Sequence, residues 1–345
     1  MTGRGATEMT PAGGLARHVP VLLDEVIAAI APEAGDRIID ATFGQGGYTR
    51  GFLAAAECHV LGIDRDPDAH GAAEHLSSEA GERFTFRAGR FSQLADIAAE
   101  VGFVPADAIA FDIGVSSVQL DTAERGFSFQ ADGPLDMRMA QEGEAAADVI
   151  NSADEALLAD IFYHYGEERG ARRIAKRIVA RRAAAPFERT GDLASLIADV
   201  LGRRPDGKHP ATRAFQGLRI FINRELDELV DGLGAAEQIL KPGGRLAIVS
   251  FHSLEDRIVK RFFDDRSGRS AATSRHAPQL TGPVPTFRLA TRGVRKPSDA
   301  ETRRNPRARS ARLRSAIRTD APARPVDRAS VLPAFEVSAA RGRGA

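Results

Sequence analysis

Two acidic residues and a run of glycines could together bind a cofactor that contains a nucleoside. Residues 40–48 read Asp-Ala-Thr-Phe-Gly-Gln-Gly-Gly-Tyr, after an apolar run and before a helical pattern. Glycines there let the backbone approach a ligand closely, and a helix N-terminus favours negative charge. Asp64 lies twenty residues after Gly44, where a carboxylate can accept hydrogen bonds from both ribose hydroxyls of an adenosine. The spacing therefore favours an adenosine-containing cofactor.

The residues around the loop separate the kinds of cofactor. A P-loop requires a lysine after its last glycine, and none follows Gly47. A dinucleotide-binding loop would have a third glycine where this chain has Thr49. In an S-adenosylmethionine loop an acid precedes the Gly-x-Gly turn, as Asp40 does, and the Lys-Pro-Gly-Gly turn at residues 241–244 is common in methyltransferase sheets. S-adenosylmethionine is thus favoured over NAD, while a ligand-free turn and a solvated helix cap at Asp64 stay open.

Asp112 ends another apolar run and begins the segment Asp-Ile-Gly-Val-Ser-Ser. Open α/β sheets bind ligands at the carboxyl ends of their strands, so this carboxylate could hold the cofactor or orient an acceptor amine. Amino-methyltransferases often carry Asn/Asp-Pro-Pro-aromatic at this point, which this chain lacks. Asp112 is therefore a catalytic candidate only, and no metal is expected, because methyl transfer from a sulfonium needs in-line positioning and no metal.

The elements that would position these residues alternate between short apolar runs and helical patterns. Apolar runs occur at 38–39, 60–63, 84–86, 108–111 and 246–249, which predicts βαβ units and a parallel sheet. About 130 residues separate the fourth run from the fifth, far more than one crossover helix needs. The sequence thus predicts an α/β fold with an inserted helical domain. The expected parts are a disordered 1–16, a core at 17–114 and 211–319, an insertion at 115–210, and a disordered tail at 320–345.

Helical patterns within and after the insertion predict three further helices. A capping box at Ser152 and Glu155 introduces a helix that runs to Tyr165. A second pattern at 193–200 should stop at Gly202, and a third, longer helix spans 215–233.

Charge and cysteine content exclude several classes of protein. The 47 basic and 47 acidic residues balance, but fourteen Lys or Arg lie between 266 and 318 against two acids, which indicates a polyanionic partner. Cys58 is the only cysteine, so we expect no disulfide and no cysteine-based zinc site. Neither a signal peptide nor a membrane span is evident, which favours a cytoplasmic protein.

A second basic stretch lies in the predicted insertion. It contains six basic residues and no acid: Arg172, Arg173, Lys176, Arg177, Arg181 and Arg182. The first four fall on one face of a helix, and basic faces bind phosphate without reading sequence, so these four are candidate RNA-binding residues. A solvated helix face is the competing interpretation. Aromatic residues are not interleaved with them, so base stacking is not predicted there.

The chain resembles the bacterial 16S rRNA cytosine-N4 methyltransferases of the MraW/RsmH type from His18 to about Arg318. Characteristic segments include Glu-Arg-Gly-Phe-Ser-Phe at 124–129, Asp-Gly-Pro-Leu-Asp-Met-Arg at 132–138, Lys-His-Pro-Ala-Thr-Arg at 208–213 and Phe-His-Ser-Leu-Glu-Asp-Arg at 251–257. The resemblance implies a class I, Rossmann-like methyltransferase sheet. It also implies methylation of the exocyclic amine of one cytidine in the decoding region of 16S rRNA, within the small ribosomal subunit.

The resemblance further implies which residues contact S-adenosylmethionine: Gly46, Gly47, Tyr48, Asp64, Phe91, Asp112 and Gln119. Many members have His where this chain has Tyr48, which is harmless if the contact is through the backbone. Phe91 suits adenine stacking, although plain core packing competes. On the substrate side, Asp136 with Arg138 and the trio His252, Ser253 and Glu255 are candidates, against an ion pair and a helix cap respectively.

Two other functions stay open beside the methyltransferase. One is a non-catalytic RNA-binding assembly factor that keeps the cofactor fold, and the other is an NAD-dependent dehydrogenase. No membrane partner is expected, and a homodimer is left open.

Overall fold

The computed structural model describes residues 20–205, 207–269, 283–291 and 293–332. The strands are β1 (Arg37–Asp40), β2 (His59–Asp64), β3 (Phe84–Ala88), β4 (Ala106–Asp112), β5 (Leu240–Ser250), β6 (Phe287–Leu289) and β7 (Arg312–Arg318). The helices are α1 (Leu23–Ile30), α2 (Gly47–Ala55), α3 (His70–Ala80), α4 (Leu94–Glu100), α5 (Ser117–Asp121), α6 (Ala146–Ser152), α7 (Glu155–Asp160), α8 (Ala171–Arg182), α9 (Thr190–Leu201), α10 (Thr212–Asn223), α11 (Glu225–Ile239), α12 (Ser253–Arg266), α13 (Asp299–Arg304) and α14 (Arg328–Val331).

One seven-stranded sheet, in the order β3-β2-β1-β4-β5-β7-β6, organises the molecule. Strands β1 to β5 are parallel, and β7 pairs antiparallel with both β5 and β6. The chain leaves β1 toward β2 on one side and later returns to β4 on the other, so the topological switch point, where open α/β sheets bind ligands, lies at the carboxyl ends of β1 and β4. The predicted α/β class I, Rossmann-like methyltransferase fold is confirmed, and all five predicted strands are present.

Two layers of helices cover the two faces of the sheet and bury the apolar side chains on them. Along β1, Ile39 faces the cluster with α4, α11 and α12, whereas Ile38 faces the cluster with α1, α2 and α3. Both side chains are fully buried, as a sheet covered on both faces requires. This packing fixes the strand ends from which the candidate site residues project.

The segment between β4 and β5 has a hydrophobic core of its own. Side chains from α6 to α9 pack around Phe162, Ile174 and Phe187, which are fully buried. Helix α10 joins this core through Phe215 and Leu218, although the predicted boundary at residue 210 assigned it to the sheet domain. Ile220 of the same helix belongs to the core beside the sheet, so α10 packs against both units.

The long helix predicted over 215–233 is two helices. Arg224 has a positive φ of 50° and separates α10 from α11. Just before it, the Asn223 amide donates to the Met137 carbonyl at 2.8 Å, and its oxygen accepts from the Met139 N–H at 2.9 Å. The apolar spacing runs across the break, so the periodicity alone hid the change of direction.

Of the two helix ends predicted in the insertion, the start at Ser152 is wrong and the stop at Gly202 is confirmed. Asp154 caps α7 by accepting from the Leu157 N–H at 2.7 Å, so the prediction of a capping box starting at Ser152 is wrong. Ser152 instead ends α6. Gly202, with a φ of 70°, ends α9 as predicted.

The first part of the predicted disordered tail is packed against the sheet domain. Val331 and Leu332 are buried, and Arg261 of α12 donates to the Leu332 carbonyl at 2.9 Å. The prediction of disorder is therefore wrong for residues 320–332. The composition of this Ala-, Pro- and Arg-rich stretch did not indicate that its last apolar residues, Val331 and Leu332, are buried. The predicted disordered residues 1–16, and the tail from 333 onward, lie outside the described residues. Within the described ranges, no helix has the length and apolar character of a membrane span.

Candidate functional site

Three carboxylates end neighbouring strands of the sheet at its carboxyl edge. Asp40 ends β1, Asp64 ends β2 and Asp112 ends β4, and β1 lies between the other two strands. The structure thus brings together the acids that the sequence placed in separate motifs. Burial raises the pKa values of Asp40 and Asp112, and the charge of Asp64 near Asp40 and of Asp40 near Asp112 adds to these shifts.

The glycine loop connects β1 to α2 and leaves little room for a side chain at Gly46 and Gly47. Gly44 and Gly46 have positive φ values of 52° and 72°, which disfavour other residues. A methyl group on Gly46 would stand 2.8 Å from the Phe43 ring, and one on Gly47 would stand 2.2 Å from Pro20. The loop is therefore held close to its neighbours and presents backbone at the start of α2.

Asp64 holds this loop and is not the cap of the following helix. Its Oδ2 accepts the Gly44 N–H at 2.7 Å, and its Oδ1 accepts the Asp66 N–H at 2.8 Å. Asp66 instead caps the short 3-10 turn Pro67–Ala69 that leads into α3, and its Oδ1 accepts the Asp68 N–H at 3.0 Å. Burial raises the pKa of Asp64 above its ordinary value. A carboxylate offers about four lone-pair sites, so acceptor capacity for ribose hydroxyls remains.

The Tyr48 side chain is buried and hydrogen-bonded within the protein. Its hydroxyl donates to the Val21 carbonyl at 2.5 Å, and its ring is buried in the core beneath α1. Only its backbone, in the first turn of α2, is available to the loop. The contact of Tyr48 with S-adenosylmethionine stays a prediction.

Asp112 has a buried carboxylate oxygen without a hydrogen-bond donor. Its backbone N–H donates to Thr42 Oγ1 at 2.6 Å, whereas its Oδ1 has no partner among the described residues. Burial, with Asp40 and Glu255 nearby, raises the pKa of Asp112 well above its ordinary value. A buried acceptor normally has a partner, so this oxygen fits a ligand that brings N–H or O–H groups, as S-adenosylmethionine does.

Phe91 and Gln119 lie on two sides of the same edge. The half-buried Phe91 ring contacts Phe111 edge-on, with centroids 5.8 Å apart, and packs against α11. The buried Gln119 amide donates to Asp66 Oδ2 at 2.6 Å, which ties α5 to the end of β2. Both positions suit the predicted cofactor contacts, which stay predictions.

The substrate-side candidates make structural interactions. Arg138 forms a two-pronged ion pair with Asp136, at 2.9 and 2.7 Å. His252 caps α12, with Nδ1 accepting from the Glu255 N–H at 3.4 Å and Nε2 lying 3.0 Å from Glu255 Oε1. The Ser253 hydroxyl donates to Glu167 at 2.5 Å. These contacts favour the ion-pair and helix-cap interpretations.

A buried network that the sequence motifs did not indicate links the sheet to the insertion. Arg125 Nη1 donates to both oxygens of Asp66 at 3.0 Å, and its Nη2 donates to the Met139 carbonyl at 3.0 Å. Gln119 completes the network on the other side of Asp66. Arg125 lies in the segment 124–129 that carries the family resemblance, which was the only available signal for its role.

The candidate RNA-binding residues occupy the exposed face of α8. Arg172, Arg173, Lys176 and Arg177 are exposed, and none forms an ion pair with a described residue. By contrast, Arg181 pairs with Asp192, and Arg182 donates to the Ile150 carbonyl at 2.7 Å. Four of the six basic residues are therefore available for an anionic partner.

The first testable prediction concerns the pH dependence of stability. Burial raises the pKa of Asp40 to about 6, and the Thr49 hydroxyl, 2.7 Å from Oδ2, opposes that shift. The pKa of Asp40 is higher in the folded protein than in the unfolded chain, so protonation of Asp40 favours the folded state. Its contribution to the free energy of unfolding is complete below about pH 4 and is lost as pH rises through about 6. Relative to Asp40→Asn, the wild-type ligand-free protein should lose about 3 kcal/mol over that interval. Urea unfolding at several pH values measures this difference, and parallel stability curves for the two proteins would contradict it.

Comparison with known proteins bears on what this site does. Residues 15–319 match the MraW methylase family. A relative from Methylocella silvestris, named ribosomal RNA small subunit methyltransferase H, is 56% identical over 99% of both chains. One of the same name from Sphingopyxis alaskensis is 60% identical over 90% of this chain and 94% of its own. Among solved structures, an rRNA methylase from Streptococcus thermophilus aligns with a TM-score of 0.38 and 10% identity, over 86% of this chain and 94% of that one.

The family match covers the whole of the sheet and the insertion, including the loop and all three strand-end acids. Their arrangement fits the cofactor that the sequence favoured. The chain therefore belongs to the MraW methylase family and is an S-adenosylmethionine-dependent methyltransferase.

Proposed function

We propose that this protein methylates the exocyclic N4 amine of one cytidine in the decoding region of small-subunit rRNA. The proposal of an RNA substrate rests on one observation. Relatives named as small-subunit rRNA methyltransferases are 56% and 60% identical to this chain over 99% and 90% of its length. The motifs shared with cytosine-N4 methyltransferases support the choice of atom. The described part of the chain is compatible with this function. It has an acceptor oxygen without a protein partner at the strand ends and exposed arginines on the insertion.

The cofactor-binding residues of this proposal are the seven that the resemblance implies: Gly46, Gly47, Tyr48, Asp64, Phe91, Asp112 and Gln119. S-adenosylmethionine supplies an electrophilic methyl group on a sulfonium when bound. The loop with Gly46 and Gly47 offers backbone at the start of α2, and Asp64 offers lone pairs to hydroxyl groups. Asp112 Oδ1 accepts a hydrogen bond from the cofactor in place of its missing protein partner.

Catalysis then consists mainly of positioning. The N4 lone pair of cytosine is delocalised into the ring, so the amine is a weak nucleophile. Holding it in line with the methyl group converts a bimolecular encounter into an oriented one, and no metal is needed for this step. A paired or stacked target base must first leave its stack, at a cost of a few kcal/mol.

A strain that lacks the gene tests the proposal directly. Its 16S rRNA should lose one methyl mass at a single cytidine, and the wild-type gene should restore it, as measured by mass-spectrometric mapping. A gene encoding Asp112→Ala separates an enzyme from an assembly factor. If the protein is the enzyme, the Asp112→Ala gene should not restore the methyl group. If the protein is an assembly factor, the Asp112→Ala gene should restore it.

The basic face of α8 is proposed to contact the RNA backbone. Arg173→Glu with Arg177→Glu should flatten the salt dependence of RNA binding, because each lost phosphate contact lowers the log–log slope by roughly 0.7–0.9. S-adenosylmethionine affinity should not change. Filter binding to small-subunit RNA at several salt concentrations measures the slope.

A matched control is the pair Arg37→Glu and Lys260→Glu, which lie outside the basic stretch 266–318. Both residues are exposed on the sheet domain, and the change of charge is the same. An equal loss of slope in both double variants would indicate a general effect of net charge. An unaltered slope in the α8 variant would leave Arg173 and Arg177 as residues of a solvated face.

A further inference from the structure

The Phe251 ring lies beside the end of β4, although segment 112–117 itself contains no aromatic residue. Asp112 is in register with Val249 of β5, and the Ile113 N–H donates to the Val249 carbonyl at 2.9 Å. Phe251 follows two residues after Val249, so it leaves the sheet at the same edge. The chain thus places a ring next to the candidate acceptor site from the neighbouring strand.

The backbone facing this ring is open. Gly114 has a φ of 117°, and a methyl group on it would have one atom of the described residues outside its own neighbours within 4 Å, Phe251 Cδ2 at 3.5 Å. By contrast, a methyl group on Gly46 or Gly47 would clash with a neighbouring side chain. The space over Gly114 is therefore bounded by the Phe251 ring on one side.

Phe251 is anchored through its backbone while its ring stays partly accessible. Its N–H donates to Glu255 Oε2 at 2.8 Å, and Glu255 is buried within the cap of α12. The side chain is half-buried and makes no ring contact with another aromatic residue in the described part of the chain. A fixed ring with a free area is what a stacking platform requires.

We propose that Phe251 is the positioning residue on which the extruded target base stacks, with Gly114 leaving room for the base beside Asp112. This inference rests on the proposed function, which requires a cytosine to lie in line with the methyl group. Stacking offsets part of the cost of extrusion. Every base has a π-face, so this contact positions the base and does not by itself select cytosine.

A purely structural role for Phe251 has a matched control within the same core. Phe86 is also half-buried and packs against the same cluster of buried residues as Phe251, but it lies on β3, which β2 and β1 separate from β4. A loss of packing alone should affect Phe251→Leu and Phe86→Leu to a similar degree.

The experiment uses small subunits from the deletion strain as RNA substrate. Phe251→Leu should lower kcat/KM for the subunit about 5- to 150-fold, the range for loss of one base–aromatic stack. S-adenosylmethionine affinity should stay within about twofold of wild type, because the ring faces the acceptor. Phe251→Tyr and Phe251→Trp should retain most of the activity, because both keep a π-face, and Phe86→Leu should match wild type.

Chemical probing supplies a readout other than turnover. Wild-type enzyme saturated with S-adenosylhomocysteine should alter the dimethyl sulfate reactivity of the target cytosine in the bound subunit, and Phe251→Leu should not. The stacking role is overturned if Phe251→Leu matches Phe86→Leu in both measurements. It is also overturned if Phe251→Tyr and Phe251→Trp are folded but lose activity as Phe251→Leu does. A wild-type product other than N4-methylcytidine would instead refute the proposed function, whatever Phe251 does.

Discussion

Replacing Asp112 with asparagine is expected to raise the KM for S-adenosylmethionine about 100-fold, which corresponds to roughly 2.7 kcal/mol, and largely to spare kcat. Asp112 Oδ1 is a buried oxygen with no donor among the described residues, so a ligand's N–H or O–H group would be its partner. An asparagine keeps the size of the side chain but offers an uncharged acceptor or an amide donor in its place. Steady-state kinetics with both substrates varied separates the two parameters.

The same measurement distinguishes a second role for Asp112. If the carboxylate accepts a hydrogen bond from the N4 amine, kcat should fall with little change in cofactor affinity, because that interaction strengthens only in the transition state. Asp107→Asn is a suitable control, because Asp107 belongs to the same strand but pairs with Lys241 at the opposite edge. Wild-type values of both parameters in Asp112→Asn would refute both roles.

Removal of the Asp64 carboxylate is expected to weaken S-adenosylmethionine binding about 10- to 150-fold, or roughly 1.5–3 kcal/mol. The carboxylate accepts the Gly44 N–H and the Asp66 N–H, so Asp64→Ala both removes an acceptor for the ribose and releases the glycine loop. Asp64→Asn should show a smaller loss, because its single carbonyl oxygen still serves one of the two amides. Calorimetric titration measures the affinities.

Thermal unfolding of both Asp64 variants serves as the control for folding. A variant that unfolds near the wild-type temperature but binds weakly supports a role in the cofactor site. Unchanged affinity in Asp64→Ala would restrict Asp64 to holding the loop through Gly44.

Much of the sheet follows from the sequence because its strands are buried on both faces. The runs at 60–63 and 108–111 are apolar without alternation, which is what a covered parallel strand requires. Strand β7 escaped prediction because it carries arginines at 312, 314 and 318. Arg312 and Arg314 are accommodated by ion pairs with Asp256 of α12, a partner more than fifty residues away that local pattern does not reveal.

The candidate site shows the same division between local and tertiary information. The spacing of Asp40, the glycines and Asp64 predicts their meeting, because strand ends of a parallel sheet share one edge. The direction of the Tyr48 side chain depends on the Val21 carbonyl beneath α1, and the break at Arg224 depends on hydrogen bonds from Asn223 to the insertion. Contacts of this kind arise only when distant segments are packed together.

The central claim is tested most directly by incubating the purified protein with deuterated-methyl S-adenosylmethionine and small subunits from a strain that lacks the gene. Digestion of the rRNA to nucleosides, followed by fragmentation in the mass spectrometer, locates the label on base or ribose and on carbon or nitrogen. The account predicts one labelled methyl per subunit, found as N4-methylcytidine. A label on cytosine C5 or a ribose 2′-hydroxyl, or no label with a protein that binds S-adenosylmethionine, would contradict it.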